Sequence, residues 1–191
     1  ALKWVLATGG SQFRIASAID ASGNVYAGTW HYTGQPPFPP FANVYSITDN
    51  VTSGSLRWSF EAPEDIGPFG VYSVILNSAP AVGTDGTVYV GISGTLNNNR
   101  GTTLYALNPA ANGAEKWRYT VPNNPMSTNA HLAIGADGAI HMVSSDFSTM
   151  VLIAVTANGL AKWPAPVALA DVCFGCETAP AIGADNVLYV G

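Results

Sequence analysis

The chain has 191 residues, of which 48% are hydrophobic and only 10% are charged, and its net charge is -5. A sequence this apolar can bury a sizeable core, which excludes a disordered chain. Its seven Lys and Arg form no basic stripe for a nucleic-acid backbone, and its apolar runs, broken by 20 Gly and 13 Pro, are too short for a membrane helix of about 20 residues.

One motif recurs four times along the chain. Each copy places small apolar residues before a turn rich in Asp, Gly or Asn, and a β-rich run after it. The copies are residues 17–28, 78–91, 133–142 and 178–191. The turn carboxylates are Asp20, Asp85, Asp137 and Asp185. Asp-Gly or Ser-Gly between two such runs supplies the positive backbone angles of a tight hairpin. Each copy therefore predicts two antiparallel strands, with the acids explained by turn formation.

A second element follows each of the first three copies and ends in a basic residue and a tryptophan. The predicted third strands are 44–48, 104–108 and 152–156, and the tryptophans are Trp58, Trp117 and Trp163. Ser-Gly or Asn-Gly turns lead into the outer strands that carry them, and Trp4 opens the chain in an orphan copy, a predicted strand over 2–6. The tryptophans recur at intervals of roughly 50 residues, close to a four-stranded blade with insertions. We expect them to pack between adjacent sheets, with a carbohydrate-binding platform as the alternative.

The clearest copy, residues 78–122, carries the fullest form of the pattern. It combines Pro-Ala-Val-Gly, Asp-Gly, Val-Tyr-Val-Gly, Leu-Tyr-Ala-Leu-Asn, Asn-Gly and Glu-Lys-Trp. This pattern resembles the PQQ-type (quinoprotein-like) β-propeller repeat of quinoprotein alcohol dehydrogenases and of the Bam-complex lipoprotein. The resemblance covers nearly the whole chain and implies an all-β propeller of four-stranded antiparallel blades. The implied units are an outer strand of a preceding blade at 1–10, blades at 11–63, 70–122 and 128–170, and the first two strands of a further blade at 177–191.

Only three of these blades are complete, so we expect a partial ring, whereas similar propellers close with seven or eight blades. An open arc exposes an apolar face at each end that has to be covered. The expected remedies are further blades of the same chain or a second copy that completes the ring. A fourth blade assembled from the two ends is the third possibility.

The cysteines and histidines predict no cofactor site. Cys173 and Cys176 favour a local disulfide in an oxidising compartment, with free thiols as the alternative. No His follows Cys176, and His31, His131 and His141 are scattered, so neither a c-type haem nor a zinc site is expected. The resemblance to quinoprotein dehydrogenases would imply adjacent cysteines and a calcium-binding acidic cluster, from which this sequence departs. We predict no catalytic, metal or cofactor residues; PQQ and calcium belong only to the alternative of a dehydrogenase fragment whose ligands lie elsewhere.

Three insertions depart from the repeat, and insertions in propellers fall in loops on a rim. Two lie between the second and third strands of adjacent blades: the aromatic, Pro-rich 29–41 and the polar 93–102, which we expect in solvent. The third, 61–77, joins two blades. The predicted interaction surface comprises Trp30, His31, Tyr32, Phe38, Phe41, Asn97 and Arg100. For the aromatic insertion the first expectation is that its rings pack on the rim, and contact with a partner is the alternative.

These observations favour a non-catalytic scaffold or binding module that recognises a protein or a glycan through its rim loops. Low charge with many Asn, Ser, Thr and Gly is common in exported proteins, so we expect a secreted, periplasmic or cell-surface location. A fragment of a PQQ-dependent dehydrogenase and a carbohydrate-binding or carbohydrate-active propeller are the alternatives. Propellers host unrelated functions, so the fold alone does not decide among them.

Overall fold

The computed structural model describes residues 4–6, 16–30, 42–63, 66–67, 70–71, 75–76, 78–96, 99–122, 129–145, 150–169 and 179–190. Within these residues the chain is almost entirely β, and the strands form antiparallel sheets with one 3-10 turn at Pro109–Ala111. No helix of this described part is long and apolar enough to cross a bilayer.

The first sheet contains four strands that lie side by side in sequence order. They are β1 (Ala18–Ile19), β2 (Asn24–Trp30), β3 (Ala42–Asp49) and β4 (Gly54–Glu61). Each neighbouring pair is antiparallel. The predicted third strand lies within β3, and Trp58 lies in β4, as the repeat predicts.

The second sheet repeats this order with a divided innermost strand. The strands of this region are β5 (Ile66–Gly67), β6 (Gly70–Val71), β7 (Ile75–Leu76), β8 (Ala81–Val82), β9 (Val88–Leu96), β10 (Asn99–Asn108) and β11 (Ala114–Thr120). β7 and β8 pair in succession along β9. Between them the Gly91 N–H donates to Ser78 Oγ at 2.5 Å. β5 and β6 form a separate small hairpin, so the predicted connector 61–77 contains β-structure.

The third sheet again has four strands in sequence order, and the fourth sheet has two. The strands are β12 (Asn129–Ile134), β13 (Ile140–Ser145), β14 (Met150–Val155), β15 (Val167–Leu169), β16 (Ala181–Ile182) and β17 (Leu188–Tyr189). The prediction that Trp163 lies in an outer strand is wrong, because β15 begins only at Val167. Pro164 and Pro166 lie between them, and proline has no N–H to donate to a ladder.

The insertion at 93–102 is not the solvent loop that its polarity predicts. β9 and β10 extend through it and pair as far as Leu96 and Asn99. Ser93 and Thr102 are buried, with their hydroxyl oxygens 3.0 Å apart, and Ser144 Oγ of the third sheet donates to Thr102 Oγ1 at 3.2 Å. Small hydroxyl groups can be buried here because they satisfy one another.

The turns follow the predicted pattern with one exception. In the first three sheets the hairpin between the first two strands turns on Gly23, Gly86 and Gly138, whose φ angles are 81°, 81° and 76°. In the outer hairpin of the first sheet the positive φ falls on Val51, while Gly54 begins β4. Of the predicted opening strand, residues 4–6 lie in no described strand, and residues 2–3 lie outside the described residues.

Consecutive sheets pack face to face through separate apolar layers. The layer between the first and second sheets includes Tyr26, Val44, Trp58, Val88, Val90 and Leu107. The layer between the second and third includes Tyr89, Leu104, Ala106, Ile140, Met142 and Val155. The layer between the third and fourth includes Val143, Met150, Leu152, Leu169, Leu188 and Val190. Since the two middle sheets each contribute opposite faces to two layers, the four sheets stack in chain order.

Candidate functional site

The two rim insertions connect equivalent strands of neighbouring sheets. One follows Trp30 at the end of β2, and the other forms the paired ends of β9 and β10, where Arg100 is the second residue of β10. The remaining rim candidates and both cysteines lie outside the described residues: His31, Tyr32, Phe38, Phe41, Asn97, Cys173 and Cys176. The rim surface and the disulfide therefore stay predictions.

An aromatic pair repeats on one face of the sheets. In the first sheet Tyr26 pairs with Ser46, which pairs with Trp58 on the outer strand. The small middle residue lets the two rings approach to 5.9 Å between centroids. Tyr89 and Trp117 repeat the arrangement in the second sheet at 5.7 Å. Such pairs stabilise by about 0.5–1.5 kcal/mol beyond the area they bury.

Three tryptophans also lie against a glycine of the sheet that follows them. The pairs are Trp4 with Gly54, Trp58 with Gly113, and Trp117 with Gly159. A Cβ on Gly54 would lie 2.7 Å from Trp4 Cε3, and one on Gly159 would lie 2.8 Å from Trp117 Cδ2. Glycine is needed at these positions because the indole occupies the space of a side chain. Packing between sheets is thereby confirmed for Trp58, which is 5% exposed.

The following sheet can also accept the indole N–H. Trp4 Nε1 donates to Asp49 Oδ1, and Trp117 Nε1 donates to the Ala157 carbonyl oxygen, both at 2.9 Å. Trp58 Nε1 is buried without a hydrogen-bond partner. An outer hairpin therefore supplies a glycine at each step and an acceptor at two of them.

The basic residue before the tryptophan reaches back to the first hairpin of its own sheet. The pairing of β10 with β11 shifts register beside Lys116, which forms a β-bulge. Its Nζ donates to Thr87 Oγ1 at 2.7 Å and to Asp85 Oδ2 at 3.3 Å. Hydrogen bonds from Thr87, with the contact to Lys116, lower the pKa of Asp85. We call this contact between turn carboxylate and outer-strand ammonium the clasp.

Asp20 holds its turn from a different position. When the first two sheets are aligned by their strand pairing, Asp20 corresponds to Gly83, and Gly83 lies two residues before Asp85. The prediction that Asp20 and Asp85 occupy equivalent turn positions is therefore corrected. Asp20 Oδ1 accepts from the backbone N–H groups of Ser22 and Asn24, both at 2.9 Å. Burial raises the pKa of Asp20, but hydrogen bonds led by Asn24 outweigh it and lower the pKa below its usual value. A Cβ on Gly83 would lie 2.9 Å from Asp85 Oδ1. A turn of this shape therefore has room for a carboxylate at the position of Asp20 or at the position of Asp85, but not at both.

An open groove of about 480 Å³ lies between the third and fourth sheets. Its walls are formed by Gly135, Ala136, Asp137, His141, Lys162, Ile182 and Asn186. Lys162 Nζ lies 2.5 Å from Asp137 Oδ2, and this hydrogen bond is the main cause that lowers the pKa of Asp137. The groove therefore contains the clasp of the third sheet.

His141 takes the place that Tyr26 and Tyr89 have in the first two sheets. Its ring centroid lies 5.7 Å from that of Trp163. The side chain is 6% exposed, and Nδ1 is buried without a hydrogen-bond partner. Burial, followed by the charge of Lys162, lowers the pKa of His141. The imidazole is therefore neutral at neutral pH.

The groove contains three titratable side chains, Asp137, Lys162 and His141. Its carboxylate and ammonium groups are bound to each other, and its imidazole is enclosed, so these groups are not arranged as a nucleophile with a base. Across the described ranges, no three His, Cys, Asp or Glu side chains lie close enough together to hold a metal ion. The groove can offer hydrogen-bonding groups to a ligand.

Sequence reasoning missed the link between the two motifs of each repeat. Lys116 and Lys162 contact the turn acids Asp85 and Asp137, although 31 and 25 residues separate the partners. A signal was present, because the copies with Asp-Gly in the turn both have Lys before the tryptophan, whereas the first sheet has Arg57. The only indication of the groove in the sequence is His141, which stands where the other copies have tyrosine.

Comparison with known proteins assigns no family, since no protein-family model and no curated protein matches the chain. Function therefore has to be inferred from the stacked sheets, the Trp-Gly contacts and the groove.

Proposed function

We propose that the chain is an arc of a β-propeller of PQQ-type repeats and serves as a non-catalytic, exported scaffold or binding module. The observation that carries the proposal is the contact of a tryptophan with a glycine of the following sheet, which occurs at both steps between the first three sheets and again between Trp4 and the first sheet. A contact that repeats between equivalent sheets relates each sheet to the next by a similar rotation. Propellers arise from such repetition.

The two ends of the stack support a ring that further sheets complete. Tyr26 and Tyr89 are 1% and 2% exposed, whereas their counterpart Tyr189 on the fourth sheet is 58% exposed. On the first sheet, Ile19 and Leu56 are exposed and lie in the row that faces away from the second sheet. Large apolar side chains that are exposed at both ends of a stack are typical of surfaces against which another protein segment packs. We propose that further blades of the same chain cover them, with a second copy as the alternative.

We place recognition at the rim where residues 31–41 follow β2 and where the extended β9–β10 hairpin ends. The connections after Trp30 and between β9 and β10 leave the same end of two sheets that pack against each other. Loops held on a rigid scaffold are where binding residues concentrate. The partner we propose is a protein or a glycan outside the cytoplasm.

A binding screen with matched loop variants tests this role. The purified chain is applied to a glycan array and to immobilised exported proteins. A variant with residues 31–41 replaced by a Gly-Ser linker of equal length should lose the binding, whereas the same replacement at 146–149 should keep it. Urea denaturation checks that all three proteins fold. Absence of any ligand, or unchanged binding by the 31–41 variant, would contradict the proposed role.

Adding PQQ and calcium to the full-length protein distinguishes the dehydrogenase alternative from a non-catalytic scaffold. A scaffold should show neither quinone absorbance after gel filtration nor dye reduction. Tight stoichiometric binding of PQQ would overturn the non-catalytic proposal.

Cell fractionation of the natural source tests export, and recovery in the cytoplasmic fraction would contradict it.

A further inference from the structure

The third sheet departs from the repeat at a residue that lines the groove. Strand pairing places His141 where the other three sheets have tyrosine. A Cβ on Gly135 would lie 3.5 Å from His141 Cε1, and one on Gly83 would lie 3.2 Å from Tyr89 Cε2, so the two rings lie under equivalent turns. The imidazole is smaller than a phenol and has no hydroxyl group. It therefore leaves space beside the turn that a tyrosine would take.

The stability of the fold does not account for this histidine. In the first sheet the Tyr26 hydroxyl donates to the turn acid Asp20 at 2.9 Å. Nδ1 of His141, in contrast, is buried without a hydrogen-bond partner, and a buried polar atom of this kind costs stability. Departures from a local rule that bring no gain in stability are expected at functional sites. We therefore look for the role of His141 in the groove that it lines.

The polar groups of the groove can bind a ligand even though two of them contact each other. The Lys162 ammonium has three N–H groups, and its bond to Asp137 uses one of them. The Asp137 carboxylate accepts from this ammonium and from the Ala139 N–H, whereas a carboxylate can accept about four hydrogen bonds. The Lys162 and Asp137 side chains are 37% and 53% exposed. Asn186 of the fourth sheet adds an amide, which both donates and accepts.

The lining of the groove favours a neutral and polar ligand. The charges of Asp137 and Lys162 cancel, and His141 is neutral, so the lining gives no net attraction to an anion or a cation. Among the described residues of the lining, only Ala136 and Ile182 have aliphatic side chains, whereas sites for apolar molecules are lined mostly by such residues. The volume of about 480 Å³ lies within the roughly 300–1,000 Å³ of small-molecule sites.

We propose that the groove is a binding site for a small neutral sugar. Each hydroxyl group of a sugar can both donate and accept, so adjacent hydroxyl groups can donate to the Asp137 carboxylate and accept from the Lys162 ammonium. The Asn186 amide binds a further hydroxyl group, and Ile182 contacts the C–H face of the ring. This site rests on the proposed binding role and deepens it, because it names a ligand class and places the ligand at the turns, away from the rim.

An NMR titration with matched variants tests the site. The 15N-labelled chain is titrated with the methyl glycosides of glucose, galactose, mannose and N-acetylglucosamine. At least one of them should shift the side-chain amide signals of Asn186, which are assigned with Asn186→Asp. Asp137→Asn should weaken this binding at least about tenfold, because it removes a charged acceptor. Asp85→Asn makes the same change in the clasp of the second sheet and should leave the affinity unchanged.

A second variant tests the space beside the turn. His141→Tyr introduces the residue that the repeat has at this position, so the variant should fold, and its ring should fill the space that the sugar occupies. It should therefore show no shift at Asn186 with any of the four glycosides. Urea denaturation establishes that the variant is folded.

Four results would overturn the inference. These are no shift at Asn186 up to the solubility limit of the glycosides, equal weakening by Asp137→Asn and Asp85→Asn, full affinity in folded His141→Tyr, and shifts with glycine or N-acetylglycinamide but with no sugar. The binding screen at the rim separates this failure from failure of the proposed function. If the four sugars do not bind but a partner binds through residues 31–41, only the groove site fails; if no partner binds either, both fail.

Discussion

Gly159→Ala tests the contact between the second and third sheets. The φ of Gly159 is 81°, and placing alanine there costs about 1–2 kcal/mol. The new Cβ would also lie 2.8 Å from Cδ2 and 2.9 Å from Cγ of Trp117, and overpacking of this kind costs about 1–3 kcal/mol. The free energy of unfolding should therefore fall by about 2–5 kcal/mol.

Gly138→Ala is the matched control in the same sheet. Its φ is 76°, but the nearest atom to a new Cβ is the Cβ of Ala157 at 3.8 Å, an ordinary contact. Only the backbone cost of about 1–2 kcal/mol should remain. Urea denaturation followed by far-UV circular dichroism gives both values, compared at equal m.

Equal destabilisation by the two glycine variants would mean that no indole lies against Gly159. A double variant sharpens the test. In Trp117→Leu the smaller side chain leaves space, so adding Gly159→Ala should cost less than it does in the parent protein. Additive losses would also contradict the contact.

Three further predictions concern the side chains around the stack. Trp58→Phe should lower the free energy of unfolding by about 1 kcal/mol less than Trp117→Phe. The first change removes a buried N–H that has no partner, whereas the second removes a hydrogen bond. Urea denaturation compares the two variants, and the reverse order would contradict these hydrogen-bonding states. Since burial and Lys162 lower the pKa of His141, its stabilising contribution is complete above about pH 6.5 and falls as the pH drops toward the lowered folded value. His141→Phe should flatten the stability profile between about pH 7 and 5, and an unchanged profile would count against a buried neutral imidazole. Since Lys162 lowers the pKa of Asp137, that carboxylate stabilises the fold above about pH 3.9, and the effect is lost as the pH falls through its folded value. Lys162→Met should raise this pKa in an NMR titration while costing less than about 1 kcal/mol, because both side chains are largely exposed; no change in the pKa would rule out the clasp in solution.

The sequence was informative wherever local chemistry decides the structure. Turn glycines such as Gly86 and Gly138 need only their neighbours to form a hairpin, and both lie where the motif predicts. The third strands could also be predicted from local sequence. The uninterrupted run of β-forming residues around Tyr105, for example, forms a buried strand of the second sheet. Recurrence in register also predicted that Trp58 packs between sheets.

Contacts between distant residues could not be predicted in this way. The alternation that marks a strand does not reveal that Lys116 will reach Asp85, since that depends on a bulge and on the order of strands. Polarity was misleading at Ser93 and Thr102, because hydroxyl groups that satisfy each other can be buried. The repeat predicts an outer strand at Trp163, but Pro164 and Pro166 have no N–H to donate to a ladder, and the strand begins only at Val167.

The most direct test of the stacked arrangement is a solution NMR measurement on the glycines that face indole rings. We expect nuclear Overhauser contacts from the ring protons of Trp4, Trp58 and Trp117 to the α-protons of Gly54, Gly113 and Gly159, with those α-protons shifted upfield by the rings. Glycine α-protons at ordinary shifts, with no contact to any indole, would contradict the arrangement in which each sheet lies on the next.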